Sequence, residues 1–257
     1  MSHAASPFVW YELMTTELGA AEAFYRQAIG WTIADAGMPD LKYSIASASG
    51  RGVAGMMTLP PEVRAQGVPP NWTGYIGVAD VDAWAERIRA AGGTIHHPPT
   101  DIPGTGRFAV VADPQGAAFA LYKGNEADEA PAASAAPGTM GWHELYASDL
   151  DAAWAFYSAM FGWTQGEAID MGPMGLYQLF VGAGDQAIGG MMKRPPEVPN
   201  PCWLYYVNVE AIDAAMARVL AGGGRVLMGP QQVPGGSWIA QCLDPQGAMF
   251  AMVAPHR

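Results

Sequence analysis

The sequence predicts an α+β fold of two tandem modules, each built from two units in which a strand and a helix are followed by further strands. Residues 10–32 and 142–164 align without a gap and match at 12 of 23 positions. The turn Asp-Pro-Gln-Gly occurs at 113–116 and again at 244–247, each time before a short apolar run that is typical of a buried strand. The chain is therefore predicted to contain the same architecture twice.

The elements of the first module follow from local patterns. We predict strands at 9–15, 43–48, 53–58, 75–78, 107–112 and 118–122, with a hairpin turn at 49–52 and a further strand plausible in each unit. Helical spacing predicts inward stripes that end at glycine. The stripes are Leu18, Ala21, Phe24, Tyr25 and Ala28 before Gly30; Val81, Trp84, Ala85, Ile88 and Ala91 before Gly92; and, in the second module, Leu150, Ala153, Phe156, Tyr157 and Met160 before Gly162.

The modules are predicted at 7–124 and 139–254, with an acidic, proline-containing linker at 125–138.

A net charge of -11 disfavours nucleic acid or an anionic membrane as partner. Without a leader pattern or a membrane-length apolar stretch, the protein is expected in the cytoplasm. Cys202 and Cys242 are too few for a disulfide framework and are expected as buried free thiols.

These repeated patterns resemble the vicinal oxygen chelate superfamily, the glyoxalase, bleomycin-resistance and extradiol-dioxygenase group. The resemblance rests on residues 17–25 and 149–157, on the Gly-Trp after each helix, and on the two Asp-Pro-Gln-Gly turns. It implies that each module has two βαβββ units forming a curved mixed sheet, or cup, with helices outside. In that superfamily a divalent metal binds inside the cup to His, Gln or Glu.

The metal positions implied by the resemblance carry other residues here. They are Trp10, Thr73 and Ala120 in the first module and Trp142, Leu204 and Ala251 in the second. Tryptophan, leucine and alanine offer no lone pair to a cation, and a single threonine hydroxyl cannot hold one. No metal site and no cofactor are therefore predicted.

Strand alternation predicts which side chains enter the cup. Trp10, Glu12 and Met14 share one face of the first strand, opposite Tyr11 and Leu13. The counterparts in the second module are Trp142, Glu144 and Tyr146. Glu12 and Glu144 are candidate catalytic residues, because a carboxylate on an apolar surface can bind a cation or move a proton. The alternative is that each carboxylate only accepts hydrogen bonds inside its own module.

Aromatic side chains dominate the predicted cups, which favours a flat and largely apolar ligand unless the rings fill the cups themselves. The predicted ligand-binding residues are Trp10, Met14, Tyr43, Tyr75, Trp142, Tyr146, Tyr177, Tyr206 and Trp238. His96 and His97 are predicted at the surface of a strand edge and His143 on a helix-facing side.

Three functions are compatible with these patterns. The first is a metal-free protein that binds a small apolar or aromatic metabolite, as bleomycin-resistance relatives sequester drugs. The second is a metal-independent lyase, isomerase or hydroxylase in which Glu12 or Glu144 is the general acid or base. The third, a metal-dependent glyoxalase or dioxygenase, needs ligands that the sequence lacks. The expected partner is a small molecule, and the chain is expected as a monomer with paired modules or as a homodimer.

Overall fold

A computed structural model of the protein describes residues 5–39, 41–125 and 135–257. The first module contains β1 (Phe8–Thr15), α1 (Leu18–Ala28), β2 (Thr32–Asp35), β3 (Tyr43–Ala48), β4 (Arg51–Thr58), α2 (Pro61–Ala65), β5 (Asn71–Gly77), α3 (Val81–Ala90), β6 (Thr94–Ile102), β7 (Gly106–Ala112) and β8 (Ala118–Gly124). The second contains β9 (Met140–Ala147), α4 (Leu150–Phe161), β10 (Thr164–Asp170), a 3-10 turn (Gly172–Met174), β11 (Leu176–Val181), β12 (Ala187–Lys193), β13 (Cys202–Asn208), α5 (Ile212–Ala221), β14 (Arg225–Gln232), β15 (Trp238–Leu243) and β16 (Met249–Ala254).

Each module forms one eight-stranded mixed sheet. The strand orders are β2-β3-β4-β1-β5-β8-β7-β6 and β10-β11-β12-β9-β13-β16-β15-β14. Strands β1 and β4, and their counterparts β9 and β12, pair in parallel, whereas β3 and β4 are antiparallel. The predicted α+β class and tandem βαβββ architecture are confirmed, and β2 and β6 are the additional strands of the first module.

The helices bury the faces that their spacing predicts, with corrections at the ends. The five residues predicted for α1 are its buried residues. In α4 the buried residue of the last turn is Phe161, whereas Met160, which we predicted, is half-buried. The Asp149 carboxylate caps α4 by accepting from the Ala152 amide at 3.0 Å, and Gly162 ends it with φ 69°. In α3 the predicted Ala91 is an exposed C-cap.

The first hairpin turn differs in detail from its prediction. The first hairpin closes through Ser49 and Gly50 alone, with φ of 50° and 78°, so β4 begins at Arg51, earlier than predicted. Positive φ at both positions is the backbone conformation of a tight two-residue hairpin turn.

In the Asp-Pro-Gln-Gly turns, the buried Asp113 and Asp244 accept backbone hydrogen bonds at 2.8–3.0 Å. The aspartate is thus the residue that holds the turn.

The described residues divide into two compact units that do not coincide with the modules. The first unit comprises residues 5–9, 74–125 and 143–204. The second comprises residues 10–39, 41–73, 135–142 and 205–257. Each unit therefore takes segments from both halves of the sequence repeat.

Each unit has a buried hydrogen-bond network around the aspartate of one turn. In the second unit the Tyr25 hydroxyl donates to Asp244 Oδ2 at 3.2 Å and accepts from Trp72 Nε1 at 2.8 Å. In the first unit Tyr157 donates to Asp113 Oδ2 at 3.0 Å and accepts from Trp203 Nε1 at 3.0 Å. Burial raises the pKa of both aspartates, and the tyrosine hydroxyl and backbone donors partly offset that rise. The duplicated sequence thus produces a duplicated polar core.

Most of the predicted linker, residues 126–134, lies outside the described residues. Its last residues are held inside the second unit. Gly138 donates its amide to the Asn208 carbonyl at 2.8 Å and accepts from Trp31 Nε1 at 2.8 Å. Gly138 is therefore buried and hydrogen-bonded, while residues 135–137 before it are exposed.

Candidate functional site

Strand β1 has two chemically different faces. Tyr11 and Leu13 are 6% and 0% exposed, whereas Trp10, Glu12 and Met14 are half-buried. The predicted alternation along β1 is therefore observed. On the buried side of the neighbouring β3, the Ser44 hydroxyl donates to Glu22 Oε1 of α1 at 2.6 Å, so this side packs on the helix. The face with Glu12 is the one that a ligand could reach.

We call Trp10, Glu12, Met14, Tyr43 and Gly55 the module 1 half-site. Glu12 of β1 is paired with Gly55 of β4, and Tyr43 of β3 is paired with Met57, two residues further along β4. The Tyr43 ring leans over Gly55, where any β-carbon would collide with the phenol. Since neighbouring strands lie about 4.8 Å apart, the phenol is beside Glu12. Trp10 Nε1 donates to the Tyr43 hydroxyl at 3.1 Å, which fixes both rings.

The same arrangement recurs in Glu144, Tyr146, Tyr177 and Gly190, which we call the module 2 half-site. Glu144 is paired with Gly190, and the Tyr177 ring occupies the space where a β-carbon at Gly190 would lie. The Tyr177 hydroxyl donates to Glu144 Oε2 at 2.9 Å. Glu144 is 6% exposed and Tyr146 3%. Unlike its counterpart, this carboxylate is buried.

Cys202 is a neighbour of Glu144 that the sequence did not indicate. It is half-buried, not buried as predicted, and only Cys242 is buried. Burial and then the negative charge of Glu144 raise the pKa of Cys202 to about 11. At neutral pH the side chain is therefore a thiol, and it lies close enough to sense the charge of the carboxylate. No sequence pattern indicates this closeness, because it results from β13 lying next to β9 in the sheet.

The remaining predicted ligand residues lie in separate surroundings. Tyr75 is buried in the first unit, with ring centroids 6.4 Å from Phe108 and 6.3 Å from Tyr122. In the second unit Tyr206 is buried and its hydroxyl accepts from Gln241 Nε2 at 3.1 Å.

Two predicted tryptophans of the second unit are more accessible. Trp238 is half-buried, with the Arg257 guanidinium 5.4 Å from its ring centre. Trp142 is half-buried at the start of β9. Tyr75 and Tyr206 therefore have the burial of core residues, while Trp142 and Trp238 keep accessible surface.

The positions at which the resemblance implies metal ligands do not fit a divalent cation. Ala120 and Ala251 are fully buried and are paired with Tyr75 and Tyr206. Thr73 is buried and donates its hydroxyl to Asn71 Oδ1 at 3.1 Å. Across the described ranges, no three His, Cys, Asp or Glu side chains are grouped closely enough to hold a metal ion. The single hydroxyl oxygen of Thr73 is too few donors for such an ion, and the other positions offer it no lone pair.

His96 and His97 are exposed as predicted, His143 is buried, and both His97 and His143 have a ring contact that the sequence did not indicate. His143 is 7% exposed, stacks on Phe8 at 4.1 Å, and its Nδ1 is 2.6 Å from the Ile188 carbonyl. Burial lowers the pKa of His143 to about 4, so the ring is neutral at pH 7 and donates to that carbonyl. His96 and His97 are exposed on the edge strand β6, and His97 stacks on Phe108 at 5.0 Å.

A separate surface cavity of about 380 Å³ lies in the second unit, beside α1 and the start of α5. Its lining is Gln27, Ile29, Gly30, Pro137, Val209, Glu210, Ala211, Ala214 and Arg218. None of the predicted ligand residues lines it. Arg218 donates Nε to the Ala28 carbonyl at 3.0 Å and so joins the two helices.

The chain belongs to the glyoxalase/bleomycin resistance protein/dioxygenase superfamily, whose family model matches residues 7–121 and 139–252. Among its relatives is CFP32 of Mycobacterium tuberculosis, provisionally named a glyoxylase, which is 36% identical over 249 residues, covering 96% of this chain and 94% of that protein. The anthracycline biosynthesis protein DnrV of Streptomyces peucetius is 32% identical over 258 residues, covering 95% and 91%.

Solved structures share the fold at low identity. The Mn(II)-bound glyoxalase of Novosphingobium aromaticivorans has a TM-score of 0.64 at 15% identity, over 99% of this chain and 83% of that chain. The 2,2',3-trihydroxybiphenyl 1,2-dioxygenase of Sphingomonas wittichii has a TM-score of 0.67 at 14% identity, over 98% and 91%. At this identity the likeness shows that the architecture is shared, but not that the reaction is.

In the described part of the chain, no helix has the length and apolar character needed to span a membrane.

Proposed function

We propose that the protein binds a small, largely apolar aromatic metabolite at its glutamate-tyrosine half-sites without the help of a metal ion. The observation that carries the proposal is the repeated placement of a tyrosine ring over a glycine beside a glutamate, Tyr43 over Gly55 and Tyr177 over Gly190. In each module a glutamate, a tyrosine and a glycine come from three different strands. Together they place one carboxylate next to an aromatic ring. Sites for small molecules combine apolar walls with a few placed polar groups in this way.

The name of one relative supports a ligand of this class. DnrV is named for anthracycline biosynthesis, and anthracyclines are polycyclic compounds that contain aromatic rings. CFP32 is named as a glyoxylase, but the positions of the metal ligands in this chain carry residues such as Ala120 and Ala251, which cannot bind a cation. Binding of an aromatic molecule requires no such ligand and uses the rings that are present.

Thermal denaturation of the full-length protein, with and without flat aromatic compounds, tests the proposal. A ligand that binds only the folded state raises the melting temperature, by an amount that grows with ligand concentration. Mass spectrometry of freshly purified, denatured protein identifies what is released. An organic aromatic compound supports the proposal. Stoichiometric zinc, nickel, manganese or iron, lost together with ligand binding on chelation, would refute the metal-free assignment.

A second function, metal-independent acid-base catalysis, is favoured by the state of Glu12. Its carboxylate is half-buried on an apolar face beside the Tyr43 phenol, which is the setting in which a proton can be exchanged with a bound substrate. Turnover of carbonyl or phenolic substrates by wild type, abolished in Glu12→Gln with the melting temperature retained, would establish this function. Equal turnover in wild type and Glu12→Gln would exclude Glu12 as the catalytic residue.

A further inference from the structure

The surface cavity beside α1 and the start of α5 is lined by two residues of opposite charge. Its volume of about 380 Å³ is in the range of sites that bind small molecules. Arg218 and Glu210 both line it, and among the described residues neither of them takes part in an ion pair. The buried side chains of Ile29 and Val209 add apolar lining. The cavity therefore combines a positive group, a negative group and an apolar wall.

The Arg218 guanidinium is held in place and keeps most of its donors. The side chain is half-buried, and its Nε donates to the Ala28 carbonyl at the end of α1 at 3.0 Å. A guanidinium has five N–H groups, four of them on the two terminal nitrogens. Within residues 5–39, 41–125 and 135–257, no other acceptor is bonded to this side chain. The two terminal nitrogens can therefore bind a carboxylate through two parallel hydrogen bonds.

The equivalent arginine of the first unit has a ring as its partner. Helices α3 and α5 are equivalent in the repeat, and Arg87 is the counterpart of Arg218. The Arg87 guanidinium lies 4.6 Å from the ring centre of Trp84, and its Nη2 is 3.4 Å from the Ala159 carbonyl. The counterpart of Trp84 in α5 is Ala215, so no ring from this position stacks on Arg218. The exchange of tryptophan for alanine leaves the guanidinium of the second unit open to a ligand.

The residues at the start of the two helices differ in the same direction. In α3 the Asp80 carboxylate caps the helix by accepting from the Ala83 amide at 3.0 Å. Its counterpart Ala211 lines the cavity and has no side-chain oxygen with which to cap α5. The acidic residue of this segment is instead Glu210, where the first module has Ala79. The second module thus places its carboxylate at the cavity and not on the helix.

We propose that this cavity binds a small zwitterion of the size of an amino acid. Its carboxylate binds Arg218, its ammonium group faces Glu210, and its aliphatic part lies against Ile29 and Val209. A net charge of -11 repels a simple anion, whereas a zwitterion has no net charge to be repelled. None of the residues predicted to bind the aromatic ligand lines the cavity. The site is therefore independent of the function proposed for the half-sites.

Nuclear magnetic resonance titration of the full-length, ¹⁵N-labelled protein at pH 7 tests this site through the amide shifts of Gly30, Ala211 and Ala214. The zwitterionic probes are L-norleucine and its isomer 6-aminohexanoate, which carry the two charges at short and long spacing. Pentylamine lacks the carboxylate, and hexanoate lacks the ammonium group. We expect the tighter of the two zwitterions to bind at least about tenfold more tightly than pentylamine, because it gains hydrogen bonds to a charged group. It should bind roughly twofold to fivefold more tightly than hexanoate, because Glu210 is exposed.

Substitutions separate the two charged groups. Arg218→Gln should weaken the zwitterion by at least about tenfold, and Glu210→Gln by roughly twofold to fivefold. Arg87→Gln is the matched control, since it makes the same change at the equivalent position of the first unit, and it should leave the affinity within about twofold of wild type. Ala211→Asp restores the capping residue of the repeat, so it should raise the melting temperature while its negative charge weakens binding of the carboxylate. Circular dichroism checks the fold, and Glu210→Gln and Ala211→Asp test the site even if Arg218→Gln does not fold.

Three outcomes would overturn the proposal in different ways. Hexanoate binding as tightly as either zwitterion overturns the role of Glu210 and the zwitterionic ligand. Equal weakening by Arg87→Gln and Arg218→Gln overturns the assignment of the carboxylate to Arg218. Unchanged shifts of Gly30, Ala211 and Ala214 with every probe overturn the site itself, and leave the aromatic ligand of the half-sites untouched.

Discussion

Replacing Tyr25 by phenylalanine removes one oxygen atom from the buried network of the second unit. Asp244 Oδ2 then loses its hydroxyl donor, and the buried Trp72 Nε1 loses its acceptor. A bond to a charged group contributes roughly 1.5–3 kcal/mol, and an unsatisfied buried donor costs roughly 1–3 kcal/mol. We therefore expect the free energy of unfolding to fall by about 3–5 kcal/mol. For a protein of this size that lowers the melting temperature by about 10 °C.

Thermal and urea denaturation followed by circular dichroism measure this loss. Tyr157→Phe should produce a similar loss, because Tyr157 makes the same two bonds with Asp113 and Trp203. Tyr122→Phe is the control: its hydroxyl bonds the Thr105 carbonyl at 3.2 Å at the surface, and its removal should cost less than about 1 kcal/mol.

The pH dependence gives a second check on the same variant. Because burial raises the pKa of Asp244 above its unfolded value, protonation favours the folded state, and this contribution is lost as pH rises through the folded pKa. The Tyr25 hydroxyl favours the ionised form, so its removal should cost more at pH 7 than near pH 4. A loss below about 1 kcal/mol at pH 7, or one that grows towards acid pH, would refute the reasoning.

Three further outcomes are expected. Gly55→Ala should displace the Tyr43 ring and weaken binding of aromatic compounds while circular dichroism stays unchanged; unaltered affinity would show that the ring position is unimportant. The stability of the protein should fall as pH drops from about 6.5 to 4, because unfolding lets the buried His143 take up a proton. His143→Phe should remove that part of the dependence of stability on pH. Equal slopes of stability against pH in wild type and variant would refute the role of His143. Without reductant, thiol titration should find Cys202 and Cys242 both free after denaturation and both slow to react in the native state at pH 7; fewer thiols would indicate a disulfide.

Much of the fold could be predicted because its determinants are local. The burial of Leu18, Phe24 and Tyr25 follows from helical spacing alone, and the alternation along β1 follows from the two-residue period of a strand. Errors in the predicted burial concentrate at the ends of elements, because the last turn of a helix is set by what packs against it. At the end of α4, for example, the buried residue is Phe161 and not the predicted Met160.

The candidate site could be predicted in part. The positions of Glu12 and Glu144 on their strands follow from the repeat, and the sequence predicts the same catalytic role for both. Their partners could not be found this way. Tyr177 is 33 residues from Glu144 and reaches it across β12, the strand between β11 and β9 in the sheet. The need for Gly55 and the closeness of Cys202 to Glu144 likewise depend on pairing between distant strands.

The sequence by itself determined that the chain is built twice, that each half is an α+β module, and that residues such as Ala120 and Ala251 replace the metal ligands of the superfamily. The first two conclusions need only periodicity and turn chemistry, and the third needs the resemblance to the superfamily together with the donor atoms of side chains. The tertiary structure alone decided that the two copies differ. Glu12 is half-buried on β1, whereas Glu144 is buried on β9 and accepts from the Tyr177 hydroxyl. Accessibility and hydrogen-bond direction depend on side chains brought together from several strands, and no local pattern encodes them.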